Sequence, residues 1–193
     1  MMNEWKKLIT QTIQSHKEAV DKLQIGGAEV IPAAAEAIIN TIKKNGTIYI
    51  CGNGGSAADA QHIAGEFVGR FQQERKPLPA VALTTDTSII TSLSNDYGYA
   101  NVFAKQVEAL VGSGDLLWAI STSGSSENII NAVRVAKQKG AAVLAFTGKA
   151  DSELERMTDI CFCASNDSTA RSQEVHLLVY HIICDLVERS LFQ

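Results

Sequence analysis

Apolar residues recur at helical spacing along the first 45 positions. Trp5, Leu8, Ile9 and Ile13 mark one helix over roughly 4–23. Ile31, Ala35, Ile38 and Ile42 mark one side of a second over 30–44, with Ala34 and Ile39 flanking them. Pro32 falls in the first turn of that second helix, where a missing N–H is tolerated, and Asn45-Gly46 is a stop signal. The pattern then changes to short apolar runs alternating with helical stretches. Strands are predicted over 47–51, 80–83, 116–120, 142–146 and 160–163, and helices over 56–68, 104–111, 127–139 and 169–191. Such alternation predicts an α/β fold of flavodoxin-like type, a three-layer α-β-α sandwich around a five-stranded parallel sheet. The 193 residues read as one domain, 1–45 forming an N-terminal helical segment and 46–193 the α/β core with its long last helix.

Composition narrows the function classes. Hydrophobic residues make up 46% and charged ones 20%, enough apolar material for a packed core. The formal net charge is −4, and Lys6-Lys7 and Lys43-Lys44 are isolated pairs, so a basic nucleic-acid footprint is not expected. The polar start of the chain carries no signal-peptide pattern, and no apolar run approaches the ~18 residues of a membrane span. Cys51, Cys161, Cys163 and Cys184 are scattered, as expected of reduced thiols in a cytoplasmic protein.

Two loops have the chemistry of anion binding. Gly52-Asn53-Gly54-Gly55-Ser56 follows the first strand and opens a helix, where free N–H groups can meet a phosphate. Taken alone, this loop fits a plain tight turn equally well. It also matches a dinucleotide fingerprint through Gly52, Gly54 and Ala57, but the acid expected about 20 residues on is missing, Asp86 coming late. Ser121-Thr122-Ser123-Gly124-Ser125-Ser126 follows the third strand. Helix capping would use one or two of these residues and not six, so the loop reads as a donor-rich phosphate cup.

The helix after the glycine loop carries a core stripe of Ala60, Ile63, Ala64, Phe67 and Phe71. Beside it His62, Glu66 and Arg70 stand four residues apart. A Glu66–Arg70 surface pair explains part of that line; a metal shared by His62 and Glu66 explains another part equally well. The last helix has Val175, Leu178, Val179, Ile182, Ile183 and Leu186 on one side and Leu177, Tyr180 and Cys184 on the other, which predicts packing on both sides. Gln173 and His181 would then be largely buried and in need of partners, either in the core or at a ligand. His16 and His176 are expected to be structural or surface residues.

In these motifs the chain resembles the sugar isomerase (SIS) domain family, and within it the phosphoheptose isomerases. The likeness is carried by Cys51-Gly52-Asn53-Gly54-Gly55-Ser56, His62, Glu66, Ser94-Asn95-Asp96-Tyr97-Gly98, Ser121-Thr122-Ser123-Gly124, Arg171-Ser172-Gln173-Glu174 and His181. It covers nearly the whole chain. It implies interconversion of sedoheptulose 7-phosphate and D-glycero-D-manno-heptose 7-phosphate for lipopolysaccharide heptose, in a homotetramer with sites at subunit contacts. It further implies zinc held by His62, Glu66, Gln173 and His181. Substrate contacts would fall on Asn53, Gly54, Gly55, Glu66, Asn95, Asp96, Ser121, Thr122, Ser123, Ser126 and Gln173. The chain departs from the family at Ser172, where an apolar residue is usual, and at Ala150-Asp151-Ser152, where a glycine pair often stands.

Moving a carbonyl between neighbouring carbons needs a base for a carbon-bound proton and a shuttle between the oxygens. Glu66 is the expected base, through a cis-enediol, and His181 the expected acid–base partner, with a metal as Lewis acid. Non-catalytic sugar-phosphate-binding or replication-initiator-associating relatives, the rival reading, lack the Glu and the final His.

Overall fold

The computed structural model describes residues 1–193, the side chains of 24–26 and 28 excepted. Five parallel strands, β1 (Ile48–Gly52), β2 (Ala80–Ala82), β3 (Leu116–Ser121), β4 (Ala142–Thr147) and β5 (Ile160–Cys163), form one sheet in the order β2-β1-β3-β4-β5. β3 lies at the centre and is buried along its whole length, which is why Leu116–Ile120 reads as an unbroken apolar run. Side chains alternate across the sheet. Ile48, Ile50, Leu116, Trp118, Leu144 and Phe146 face one core, and Cys51, Leu117, Ala119, Val143 and Ala145 face the other.

The first core is covered by α1 (Met2–Lys43), α2 (Gly55–Val68) and α7 (Thr169–Phe192). The second is covered by α4 (Val102–Leu110), α5 (Glu127–Gln138) and α6 (Glu153–Met157). The three-layer sandwich expected from the sequence is therefore present.

One expectation needs correction, at the start of the chain. The two N-terminal helices are one continuous helix, and Pro32 sits inside it instead of in a first turn. Pro32 stays exposed, and the burial of Ile31, Ala34, Ala35 and Ile38 outweighs the donor its ring removes. α3 (Thr87–Tyr97) lies outside the expected helices; Ile90 and Leu93 pack only in part against the second core, and Asp86 caps it by accepting from the Ile89 N–H. α7 buries residues from both of its expected apolar sides. Val175, Val179, Tyr180, Ile183 and Cys184 are buried, whereas Leu177 and Ile182 are exposed in the single chain.

α2 lies beside α7, and a buried ion pair ties the loop after α2 to α7. Arg75 and Glu188 are 2% and 1% exposed, with Nε to Oε2 at 2.9 Å. Glu188 also accepts from the N–H groups of Phe71, Gln72 and Gln73. Arg75 donates to the carbonyls of Glu66, Phe67 and Gly69. Burial alone would raise the Glu188 carboxyl, but the backbone donors and the Arg75 guanidinium hold it below its ordinary value. Glu188→Gln is expected to leave the Arg75 charge uncompensated and to lower stability by about 3–5 kcal/mol. Urea unfolding checks this, and an unchanged midpoint would contradict it.

Candidate active site

β1 and β3 are neighbours whose chains leave in opposite directions, β1 towards β2 and β3 towards β4. In such sheets the crevice beyond the carboxyl ends of these strands is the usual ligand position. Here it is an open cleft of about 270 Å³, lined by Asn53, Gly54, Gly55, Ser121, Thr122, Ser126, Thr169 and Gln173 among others.

The glycine loop shapes one wall. Gly54 takes φ 55°, a conformation that favours glycine, and no atom lies within 4 Å of where its Cβ would be. Gly55 packs against Gln173 so closely that a Cβ there would overlap the side-chain amide. Asn53 lines the cleft with its amide already engaged. It exchanges two 2.9 Å bonds with the Asn128 amide, and its Oδ1 also accepts from Tyr99 at 2.8 Å.

The hydroxyl loop shapes the other wall. Ser121, Ser123 and Ser126 hydroxyls lie 3.0–3.4 Å from one another. Ser126 is the N-cap residue of α5, yet its side chain makes no capping bond, so capping does not account for the loop. None of the lining residues is Lys or Arg. An anion in this cleft would be met by N–H groups, hydroxyls and the helix ends behind them.

A second cluster sits further along α2 and α7. His62 Nε2 is 3.0 Å from Glu66 Oε1 and 3.4 Å from His181 Nε2. One ligand atom from each of the three residues lies within 4.8 Å of the others, and together they make a possible metal-binding group. Two imidazoles and a carboxylate fit a divalent transition ion. Glu66 faces His62, and Arg70 turns instead to Glu74 at 3.7 Å, so a Glu66–Arg70 surface pair does not form. His181 is half-buried; burial and the neighbouring His62 lower its pKa and outweigh the opposite pull of Glu66. Phe71, whose N–H is held by Glu188, lays its ring against His181 at 5.5 Å.

Gln173 is the ligand candidate that the single chain keeps apart. It stands at the cleft beside Gly55, two turns of α7 and about 12 Å of helix rise from His181. Asn95 and Asp96 are exposed at the end of α3, Asn95 donating to Asp96 at 2.9 Å, and neither lines the cleft. Ser123 is exposed beside the cleft. His16 binds Glu174 at 2.7 Å. His176 is buried with Nε2 3.0 Å from the Thr147 carbonyl, and burial pushes its pKa down to about 4. Both are structural, as expected.

Three contributors had no sequence assignment. Thr169 lines the cleft, and its signal was its place at a helix start after Ser168, which caps α7. Tyr180 reaches His62 Nδ1 at 2.9 Å but read only as an apolar-face residue. Asp59 lies one turn before His62, a spacing that could have flagged it. Its carboxyl is raised to about 6 by burial, with His62 and the Tyr180 hydroxyl pulling the other way.

The SIS domain family matches residues 11–148. A phosphoheptose isomerase of Roseiflexus sp. (strain RS-1) is 54% identical over 166 residues, 86% of this chain and 84% of that protein. One from Clostridium acetobutylicum is 46% identical over 189 residues, 97% and 96% of the two chains. The solved structure of a phosphoheptose isomerase from Neisseria gonorrhoeae superposes with a TM-score of 0.90 at 40% identity, covering 95% of this chain and 99% of that one. This chain belongs to the phosphoheptose isomerase family of SIS domain proteins.

Both departures from the family pattern are accommodated. Ser172 is buried, but its hydroxyl donates to the Asn166 carbonyl at 3.3 Å. Asp151 adopts φ 55°, the left-handed conformation for which a glycine is favoured. Ser152 then packs on Gly124 and caps α6, so the altered segment buttresses the hydroxyl loop.

Gly55→Ala is expected to push the Gln173 amide out of place while α2 stays folded, because only a flexible side chain must yield. Misplacing a group by about 1 Å costs on the order of 10²-fold in kcat/KM. Steady-state kinetics beside a thermal melt check this; wild-type kcat/KM would contradict it.

Proposed function

We propose that the chain interconverts sedoheptulose 7-phosphate and D-glycero-D-manno-heptose 7-phosphate, with the phosphate at the 121–126 loop and the proton transfers at Glu66 and His181. Phosphoheptose isomerase activity follows from the family. The observation that carries the assignment of chemistry is the convergence of His62, Glu66 and His181 from two helices distant in sequence.

From the ketose, Glu66 takes the proton from C1, leaving a cis-enediolate with its negative charge on the C2 oxygen. His181, its pKa lowered by burial and by the neighbouring His62, can take the proton from the C1 oxygen and return it to the C2 oxygen. Glu66 then delivers its proton to C2, and the carbonyl stands at C1. Tethering by the phosphate turns these steps into reactions within one complex, with the reacting carbons held against the two groups. Asn53, Gly54, Gly55, Ser121, Thr122, Ser123, Ser126 and Gln173 would position the substrate, with Asn95 and Asp96 contributing from α3.

His62, Glu66 and His181 would hold zinc, with Gln173 as fourth ligand. A bound divalent ion supplies positive charge to an oxygen that becomes anionic. Because Gln173 stands apart from the other three in one chain, its part in the set belongs with the homotetramer. The exposed Leu177 and Ile182, and the exposed stripe of Trp5, Leu8, Ile9 and Ile13, support such self-association. The unit would be a single domain acting in the cytoplasm on a precursor of lipopolysaccharide heptose. Four free cysteines agree with a reducing compartment, and among the described residues no helix is long and apolar enough to cross a membrane. The non-catalytic, regulatory reading is disfavoured because Glu66 and His181 are both present and adjacent to His62.

Purified protein incubated with sedoheptulose 7-phosphate is expected to build up aldose signals by NMR. Glu66→Gln and His181→Gln should each slow this by about 10²–10⁴-fold with native far-UV circular dichroism. Near-wild-type turnover in either variant would reject the assignment.

A further inference from the structure

His62 offers its Nε2 to Glu66 and His181, and its other nitrogen points elsewhere. Nδ1 lies 2.9 Å from the hydroxyl of Tyr180, a residue with no solvent exposure. Burial raises the pKa of that hydroxyl, and the nearby carboxyl of Asp59, one turn before His62 on α2, raises it further. Its Oδ2 is buried and has no hydrogen-bond partner. A buried carboxylate oxygen without a donor is uncommon and calls for an explanation.

The direction of the Tyr180–His62 bond decides what Nε2 can do. If Tyr180 donates to Nδ1, the imidazole proton sits on Nε2 and blocks its lone pair. If Tyr180 accepts from Nδ1–H, Nε2 is free to ligate. A tyrosine that accepts from histidine needs somewhere to send its own proton, and the Asp59 carboxylate is the acceptor at hand. A ligating histidine is commonly fixed by such an outer partner on its second nitrogen.

We propose that Asp59 and Tyr180 are positioning residues for His62. Tyr180 donates to the Asp59 carboxylate and accepts from His62 Nδ1–H, which sets the His62 tautomer and turns Nε2 towards Glu66 and His181. The inference rests on the reading of His62, Glu66 and His181 as a metal group. It assigns to the α2–α7 contact a three-residue relay, Asp59 to Tyr180 to His62, behind the ligand.

The test is zinc affinity of the purified protein, read by competition with a chromogenic chelator. Tyr180→Phe keeps the buried ring and removes only the hydroxyl, and should weaken zinc binding by about 10–100-fold. Asp59→Ala should weaken it in the same direction. The double variant should bind no worse than Tyr180→Phe alone, because both substitutions interrupt one relay. In the zinc-loaded wild type the His62 Nδ1 proton should appear in NMR as a slowly exchanging downfield signal, lost in Tyr180→Phe. A wild type that binds zinc and a Tyr180→Phe variant that binds it equally well, with the Nδ1 proton unchanged, would overturn the relay alone. A wild type that takes up no zinc would overturn the metal reading and the relay with it.

Discussion

The site depends on one contact, the close apposition of α2 and α7. α2 starts from the end of β1 and α7 follows β5, so nothing in the sequence order makes them neighbours. The sheet does so, by giving both helices the same face. At the start of α2 the approach is tight enough that a Cβ at position 55 would displace the Gln173 amide. About two turns along, His62 meets Tyr180 and His181. Beyond the end of α2, the Arg75–Glu188 pair fastens the following loop and holds Phe71 against His181. Cleft, cluster and clamp therefore share one seam, and loosening it at any point would disturb the others.

Along that seam the chemistry is divided. The cleft at the strand ends is neutral, built from amides, hydroxyls and helix starts, and suits an anion held without a counter-charge. The cluster further along is ionisable, with two imidazoles and a carboxylate within reach of one another. A sugar phosphate carries both needs in one molecule, an anchor at one end and exchangeable protons at the other. Keeping the anchor free of lysine and arginine leaves Glu66 and His181 with no cationic neighbour from that wall, and burial together with His62 lowers the pKa of His181.

Much of this was legible in the residues. The β3 run Leu116–Ile120 announced a strand buried on both faces, and the hydroxyls of Ser121–Ser126 exceeded what a helix cap needs. The four-residue spacing of His62 and Glu66 put both on one helix face. What failed did so for physical reasons. Pro32 read as a helix start because local propensity ignores the packing of Ile31, Ala34 and Ile38, which carries the helix through it. α3 was silent because its apolar positions are few, Ile90 and Leu93 packing only in part against the second core. Tyr180 was missed because hydrogen bonding across the α2–α7 seam leaves no mark on spacing within either helix. Gln173 and His181 fall on one helix and could be paired on paper, yet helix rise alone separates them in a single chain.

The most direct test of Glu66 and His181 as a proton-transfer pair is isotopic. Sedoheptulose 7-phosphate turned over in D₂O is predicted to give aldose carrying deuterium at C2, because the proton taken from C1 exchanges on its carrier before the product forms. Aldose that stays unlabelled at C2 after many turnovers would mean that hydrogen passes directly between the carbons, and would contradict the account.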